Sequence, residues 1–169
     1  MVLRTKIMFL VICLLITTGV YADVIGAETQ AQTSETEARE PSVLALSKEI
    51  IINALANVGV QYKWGGESAI TGFDCSGLVR SVFLKAVGIT LPRTAMEMSR
   101  VGTPVGLNDL LPGDLIFFKN GRGNFAHVGI YLGMNRFVHA PQTGSAVQVE
   151  DLNNQNYLKR FSGGRRISS

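Results

Sequence analysis

The chain has 169 residues, with 16 Lys+Arg against 13 Asp+Glu, 46% hydrophobic residues, 18 glycines, two cysteines and two histidines. This is a globular balance, and the length suits one domain with a full hydrophobic core better than two complete domains. Two cysteines exclude four-cysteine zinc sites, Fe–S clusters and disulfide scaffolds by count alone.

The first segment changes both length and charge. Arg4 and Lys6 precede an uncharged apolar stretch from Ile7 to Val20, and Val20-Tyr21-Ala22 offers small or aliphatic side chains at the positions a signal peptidase inspects. The pattern predicts a secretory signal peptide over residues 1–22, cut after Ala22. A membrane anchor would need ~20 apolar residues, and this run has about 14. Cys13 sits inside the run rather than at its end, which argues against a lipid-modified cysteine. The expected product is an exported protein, periplasmic or extracellular, without membrane contact after cleavage. Cleavage discards Cys13 and leaves Cys75 as the sole thiol in an oxidising compartment, where a lone cysteine is either buried and inert or kept for its reactivity. Loss of Arg4 and Lys6 also takes two charges from the formal +3, so nothing argues for a nucleic-acid partner.

Residues 23–41 read as a disordered acidic tether: Asp23, Glu28, Glu35, Glu37 and Glu40 face Arg39 alone among Ala, Thr, Gln and Ser, and Pro41 closes the segment. Residues 42–169 are the expected folded domain. Val43, Leu46, Ile50, Ile51, Ala54, Leu55 and Val58 recur at helical spacing, predicting a helix from Ser42 to about Val58 that stops at Gly59. The glycine-rich residues 60–73 follow as a loop. Leu78, Val79, Val82, Phe83, Ala86 and Val87 mark one face of the clearest helix, which Gly88 ends. Thr94 and Glu97 form a capping-box pattern behind Pro92, predicting a short third helix. After the Pro112-Gly113 turn, strands are expected over 114–118, 127–132, 136–140, 146–149 and 165–168. Helices first and strands second give an α+β class, an antiparallel sheet covered on one face by the Cys75 helix.

The chemistry centres on Phe73-Asp74-Cys75-Ser76-Gly77. Asp74 is a good N-cap, which puts Cys75 in the first helical turn, where unpaired amides and the helix dipole favour thiolate. The expected direction is a lowered thiol pKa, opposed by the Asp74 charge, with a histidine giving the larger push. Gly77 is expected to let the helix approach a neighbouring element closely. A thiolate nucleophile needs a base, and the base an orienting group. His127 and His139 are the two imidazoles of the chain, both on predicted strands around Gly133-Met134-Asn135. Twelve residues apart on hairpin arms, they share a face only if the loop is odd-numbered or a bulge corrects the parity. A three-residue loop would make His127 the base and His139 its orienter. Singly, each residue is more often a core cysteine or a surface histidine. A metal site from Cys75, His127, His139 and Asp74 is the other reading of the same residue types, without the short paired spacing of common zinc motifs.

Six blocks then resemble one family in order: Tyr62-Lys63-Trp64-Gly65-Gly66, Phe73-Asp74-Cys75-Ser76-Gly77-Leu78-Val79, Leu91-Pro92-Arg93-Thr94, Leu111-Pro112-Gly113-Asp114-Leu115, His127-Val128-Gly129-Ile130-Tyr131 and Phe137-Val138-His139-Ala140. They look like the NlpC/P60 cysteine peptidases of bacterial cell walls and cover most of residues 48–168. The resemblance implies a papain-like α+β fold with Cys75 as nucleophile, His127 as base and His139 as third polar residue. It also implies Tyr62 near the oxyanion, with Asp74 and Ser76 flanking the nucleophile and helping to hold substrate. Trp64 is read as a packing residue, Gly65-Gly66 as a tight turn, and Met98 departs from the glutamine of many relatives. The implied function is hydrolysis of amide bonds in peptidoglycan stem or cross-link peptides, next to D-glutamate or diaminopimelate, through an acyl-enzyme. No cofactor or metal is implied, the partners are peptidoglycan peptides, and monomer is the default state. The alternatives are a non-catalytic wall-binding protein, or a thiol amidase or acyltransferase on another substrate.

Overall fold

A computed structural model describes residues 44–121 and 125–168. The predicted signal peptide and tether, residues 1–41, lie outside the described residues. Helix α1 covers residues 44–55 and buries Ile50 and Ala54. It ends before Val58, because the Asn57 side chain donates to the Asn53 carbonyl (2.7 Å) and the Gly59 amide turns away to donate to Val147 (2.9 Å). Gly59 takes φ +92° in that turn. Leu46, Leu55 and Val58, expected on the apolar stripe, are exposed.

The glycine-rich segment is more ordered than a loop. It forms a small hairpin, β1 (Glu67–Ser68) and β2 (Gly72–Phe73), entered through a turn in which the Gly66 amide donates to Lys63 (2.9 Å) and Gly65 adopts φ +72°. Helix α2 (Cys75–Val87) follows, capped by Asp74 and closed by Gly88 at φ +72°. Its periodic residues Leu78, Val79, Val82 and Phe83 are buried as the pattern predicts. The close approach expected at Gly77 is made to the turn before β1: a Cβ there would overlap the Gly66 carbonyl oxygen. The predicted capping box starts α3 (Ala95–Met98), with Thr94 Oγ1 accepting from the Glu97 amide and the Glu97 carboxylate accepting from the Thr94 amide.

The strands are β3 (Thr103–Val105), β4 (Leu115–Lys119), β5 (Phe125–Gly133), β6 (Arg136–His139), β7 (Gln148–Asp151) and β8 (Phe161–Arg166), with a 3-10 turn at Leu107–Asp109 and a short helix α4 (Gln155–Leu158). They form one antiparallel sheet in the order β3-β8-β4-β5-β6-β7. The strand expected at 146–149 begins two residues later, since Ala146 bridges Gln61 and Val147 bonds to the Gly59–Val60 turn. The last strand starts earlier than 165, because Phe161 already pairs with Phe118. At the Pro112-Gly113 turn the buried Asp114 carboxylate accepts from the Leu111 amide and from Arg166, tying β4 to β8.

Strand alternation gives the sheet two apolar faces. Leu115, Phe117, Val128, Ile130 and Val138 meet α1 and α2, while Ile116, Phe118, Tyr131 and Phe137 form a second cluster with Leu152, Tyr157 and Phe161. Both histidines project toward the second cluster. The expectation of one covered face is thus incomplete: α4 and the segment around Leu152 cover the other.

Candidate active site

The histidines owe their placement to a parity correction. The β5–β6 turn has two residues, Met134 and Asn135, both in the left-handed region at φ 49° and 55°. A regular hairpin with that turn would put His127 and His139 on opposite faces. The register shifts between Tyr131↔Phe137 and Gly133↔Arg136, a bulge at which Gly133 takes φ +93°. The extra residue restores a common face, and His127 Nε2 lies 2.7 Å from His139 Nδ1. Of the two routes that the spacing left open, an odd-numbered loop or a parity-correcting bulge, the chain takes the bulge, with a two-residue turn. His139 is 1% exposed and its Nε2 has no hydrogen-bond partner among the described residues. It lies among aromatic rings, 4.8 Å from Phe137 and 5.5 Å from Tyr157 between centroids.

Cys75 and His127 line one cleft of about 600 Å³, with Tyr62, Trp64, Arg93 and Phe125 among its walls. His139 stands behind His127, outside the lining. Among the described residues, no carboxylate acts on either histidine. Burial and the Arg160 charge push His127 down to about 4, and burial, His127 and Arg160 push His139 down to about 3, so both rings are neutral at pH 7.

The Cys75 thiol departs from expectation. Burial is the largest influence and pushes it up. The Val128 amide, next to His127, and the Ser76 and Cys75 amides pull it down, while the Asp74 charge pushes it up again. The helix-end effect is present but desolvation outweighs it, so the thiol pKa is raised rather than lowered.

Asp74 is fully engaged. Its carboxylate accepts from the amides of Gly77 (2.7 Å) and Gly65 (3.0 Å), from Ser76 Oγ (3.1 Å) and from both Nη groups of Arg93. Burial pushes this carboxyl up, but the bonds from Arg93, Gly77 and Ser76 together hold it below the usual range. Arg93 Nη1 also donates to Ser76 Oγ (2.9 Å), and its Nε faces Glu67, which also pairs with Arg80. Asp74 and Ser76 thus lie in the cleft wall as the anchor of Arg93, with no oxygen of Asp74 left unbonded. Sequence reasoning assigned Arg93 no role, although its place just before the Thr94 cap signals a fixed side chain at the helix entrance. Tyr62 is half-buried, and burial, Cys75 and Asp74 push its phenol up. Trp64, read as a packing residue, is 86% exposed at the rim, because the Gly65 turn projects it outward. Among the described residues, no three His, Cys, Asp or Glu side chains are grouped to hold a metal ion.

The arrangement places a thiol at a helix N-terminus, a neutral imidazole pair and a wide open cleft on one scaffold, a composition suited to nucleophilic attack on a carbonyl. The murein DD-endopeptidase MepH of Escherichia coli K12 is 35% identical over 152 residues, covering 88% of this chain and 56% of that protein. The gamma-D-glutamyl-L-lysine dipeptidyl-peptidase of Bacillus subtilis strain 168 is 38% identical over 125 residues, covering 73% of this chain and 42% of that protein. The chain thus spans about half the length of these two relatives. A solved structure of an NlpC/P60 family protein from Bacillus cereus ATCC 10987 superposes with a TM-score of 0.67 at 36% identity, covering 71% of this chain and 39% of that one. Residues 59–166 match the sequence profile of the NlpC/P60 family, which includes the cleft residues from Tyr62 to His127 and His139 behind them, and on that match and these likenesses the chain belongs to the NlpC/P60 family.

Proposed function

We propose that this protein is an exported cysteine endopeptidase that hydrolyses peptide bonds in peptidoglycan stem or cross-link peptides. One observation carries the reading: a thiol at the N-terminus of α2 shares a cleft with His127, and His127 is hydrogen-bonded from behind by His139. The relatives named for murein and for gamma-D-glutamyl bonds supply the substrate class.

In this mechanism Cys75 is the nucleophile, His127 the base and His139 a positioning residue. With His127 Nε2 committed to His139, its Nδ1 is the nitrogen left for Cys75. For Nδ1 to accept a proton, Nε2 carries the hydrogen and donates to His139 Nδ1, and His139 is then protonated on the buried Nε2. Because thiol and imidazole are both neutral at rest, the proton passes during attack on the amide carbon rather than beforehand. The sulfur–carbon bond forms, the carbonyl oxygen becomes an oxyanion facing the amides at the start of α2 with Tyr62 near it, and His127 returns the proton to the nitrogen as the carbon–nitrogen bond breaks. Water then attacks the thioester, His127 takes a proton from it, and the thiol is released. Asp74 and Ser76 hold substrate through Arg93, which they fix in the cleft wall.

Digestion of purified sacculi tests the reading. Cys75→Ser and His127→Ala proteins should lose at least a hundredfold in rate, and either variant matching the parent overturns the mechanism. Mass spectrometry of products from defined muropeptides identifies the bond.

A further inference from the structure

A second opening of about 270 Å³ lies beside β8, and one of its walls, Phe125, is also a wall of the Cys75 cleft. Its origin is a break in pairing. The β4–β8 register shifts between Ile116 and Phe118, leaving Ser162 and Gly163 without Cα partners in β4, and β3 pairs with β8 only from Gly164 onward. Gly163 sits at φ +120°, and a Cβ there would meet nothing within 4 Å, so the backbone borders open space.

Arg165 and Ser162 bring side-chain donors to the lining of this space. Arg165 Nε donates to the Ser99 carbonyl (2.7 Å), and Ser99 is itself buried, with its hydroxyl donating to Met96 (2.7 Å). The stem of Arg165 is therefore fixed, while neither of its Nη groups has an acceptor among the described residues. Arg166 differs, since its guanidinium is spent on Asp114 and the Asp109 carbonyl. Among the described residues, the Ser162 hydroxyl also has no partner and no Asp or Glu lines the opening. Opposite stand the rings of Phe117 and Phe125, edge to face at 6.0 Å.

A fixed guanidinium with its outer nitrogens unused, a hydroxyl and an apolar wall suit a group that is planar, anionic and only accepts hydrogen bonds. We infer that this opening is a subsite for a free carboxylate of the peptide substrate, bound by Arg165 while the scissile bond lies at Cys75 across Phe125. The inference rests on the peptidase reading above and adds to it a preference for peptides with a free carboxylate on one arm.

The test compares two muropeptides that differ only in whether that carboxylate is free or a carboxamide. The parent protein should cleave the carboxylate form at least tenfold better in kcat/KM. Arg165→Gln should bring this ratio near one, chiefly through KM, and Arg165→Lys should restore part of it. Ser162→Asp keeps the Arg165–Ser99 bond but places a negative charge among the donors, so it should also abolish the ratio and serves if Arg165→Gln does not fold. A parent ratio near one, or variants that slow both peptides equally, overturns the subsite. The peptidase reading fails separately, by turnover of either peptide surviving in Cys75→Ala protein.

Discussion

Gly129 lies against His139 across the β5–β6 ladder: a Cβ at Gly129 would stand 3.4 Å from the His139 Cβ and 3.0 Å from both the Phe137 ring and the Val138 carbonyl. The absent side chain lets β6 pack closely against β5 at the position that carries His139. Gly129→Val should therefore displace His139 and cost about 1–3 kcal/mol of stability through overpacking. Activity should fall by at least tenfold. Thermal unfolding together with the rate on sacculi checks this, and full activity in a stable Gly129→Val protein would show that the ring does not depend on that space.

The buried histidines make folding sensitive to acid. Both pKa values lie below the ordinary 6.5, at about 4 for His127 and about 3 for His139, so the unfolded chain takes up protons that the native state refuses. Stability is complete above pH 6.5 and falls as pH drops from 6.5 through about 4, by about 3 kcal/mol from His127 alone. Urea unfolding between pH 7 and 4 measures the slope, and His127→Ala should flatten it.

Cys75 should alkylate as a partly buried, desolvated thiol. Its pKa is raised above the ordinary 9.0, so the rate with iodoacetamide should climb through pH 9 without a plateau near neutrality. A plateau below pH 7 would instead indicate a preformed thiolate–imidazolium pair.

Tyr157 closes the aromatic enclosure of the histidine pair, 5.5 Å from His139 and 5.0 Å from Phe137 between ring centroids, the His139 pair crossing at 83°. Tyr157→Ala should admit water, and the acid limb of kcat/KM should move up toward 6.5 with about a tenfold loss of kcat. Tyr157→Phe keeps the ring and should restore the profile. An unshifted limb in Tyr157→Ala would mean the enclosure serves stability alone.

Asp74 and Arg93 form the most densely bonded pair of the cleft, with Nη2 to Oδ2 at 2.7 Å. Asp74→Ala removes the helix cap and the two carboxylate bonds of Arg93, which keeps only Ser76 and Glu67 as partners, and leaves the Gly77 and Gly65 amides unpaired. A loss of about 1–2 kcal/mol in stability is expected from the cap, with kcat reduced as Cys75 loses its fixed helix end. Denaturation and steady-state rates separate the two effects.

Local chemistry was readable wherever the cause lay within a few residues. The N-cap at Asp74, the box at Thr94 and Glu97, the apolar face from Leu78 to Phe83 and the turn at Pro112-Gly113 each depend on neighbours in the chain, and each formed as its residues dictate. Cys75, His127 and His139 could be singled out because the chain offers so few residues of their types. Distant partners decided the rest. Whether the two imidazoles shared a face depended on a bulge at Gly133 that spacing left open. The sign of the Cys75 shift depended on burial by elements far along the chain, and desolvation outweighed the helix end. Trp64 faces solvent, Asp74 is engaged by Arg93 as well as by its own helix end, and Ser162 faces a gap, because pairing, burial and charge neutralisation are properties of the packed chain.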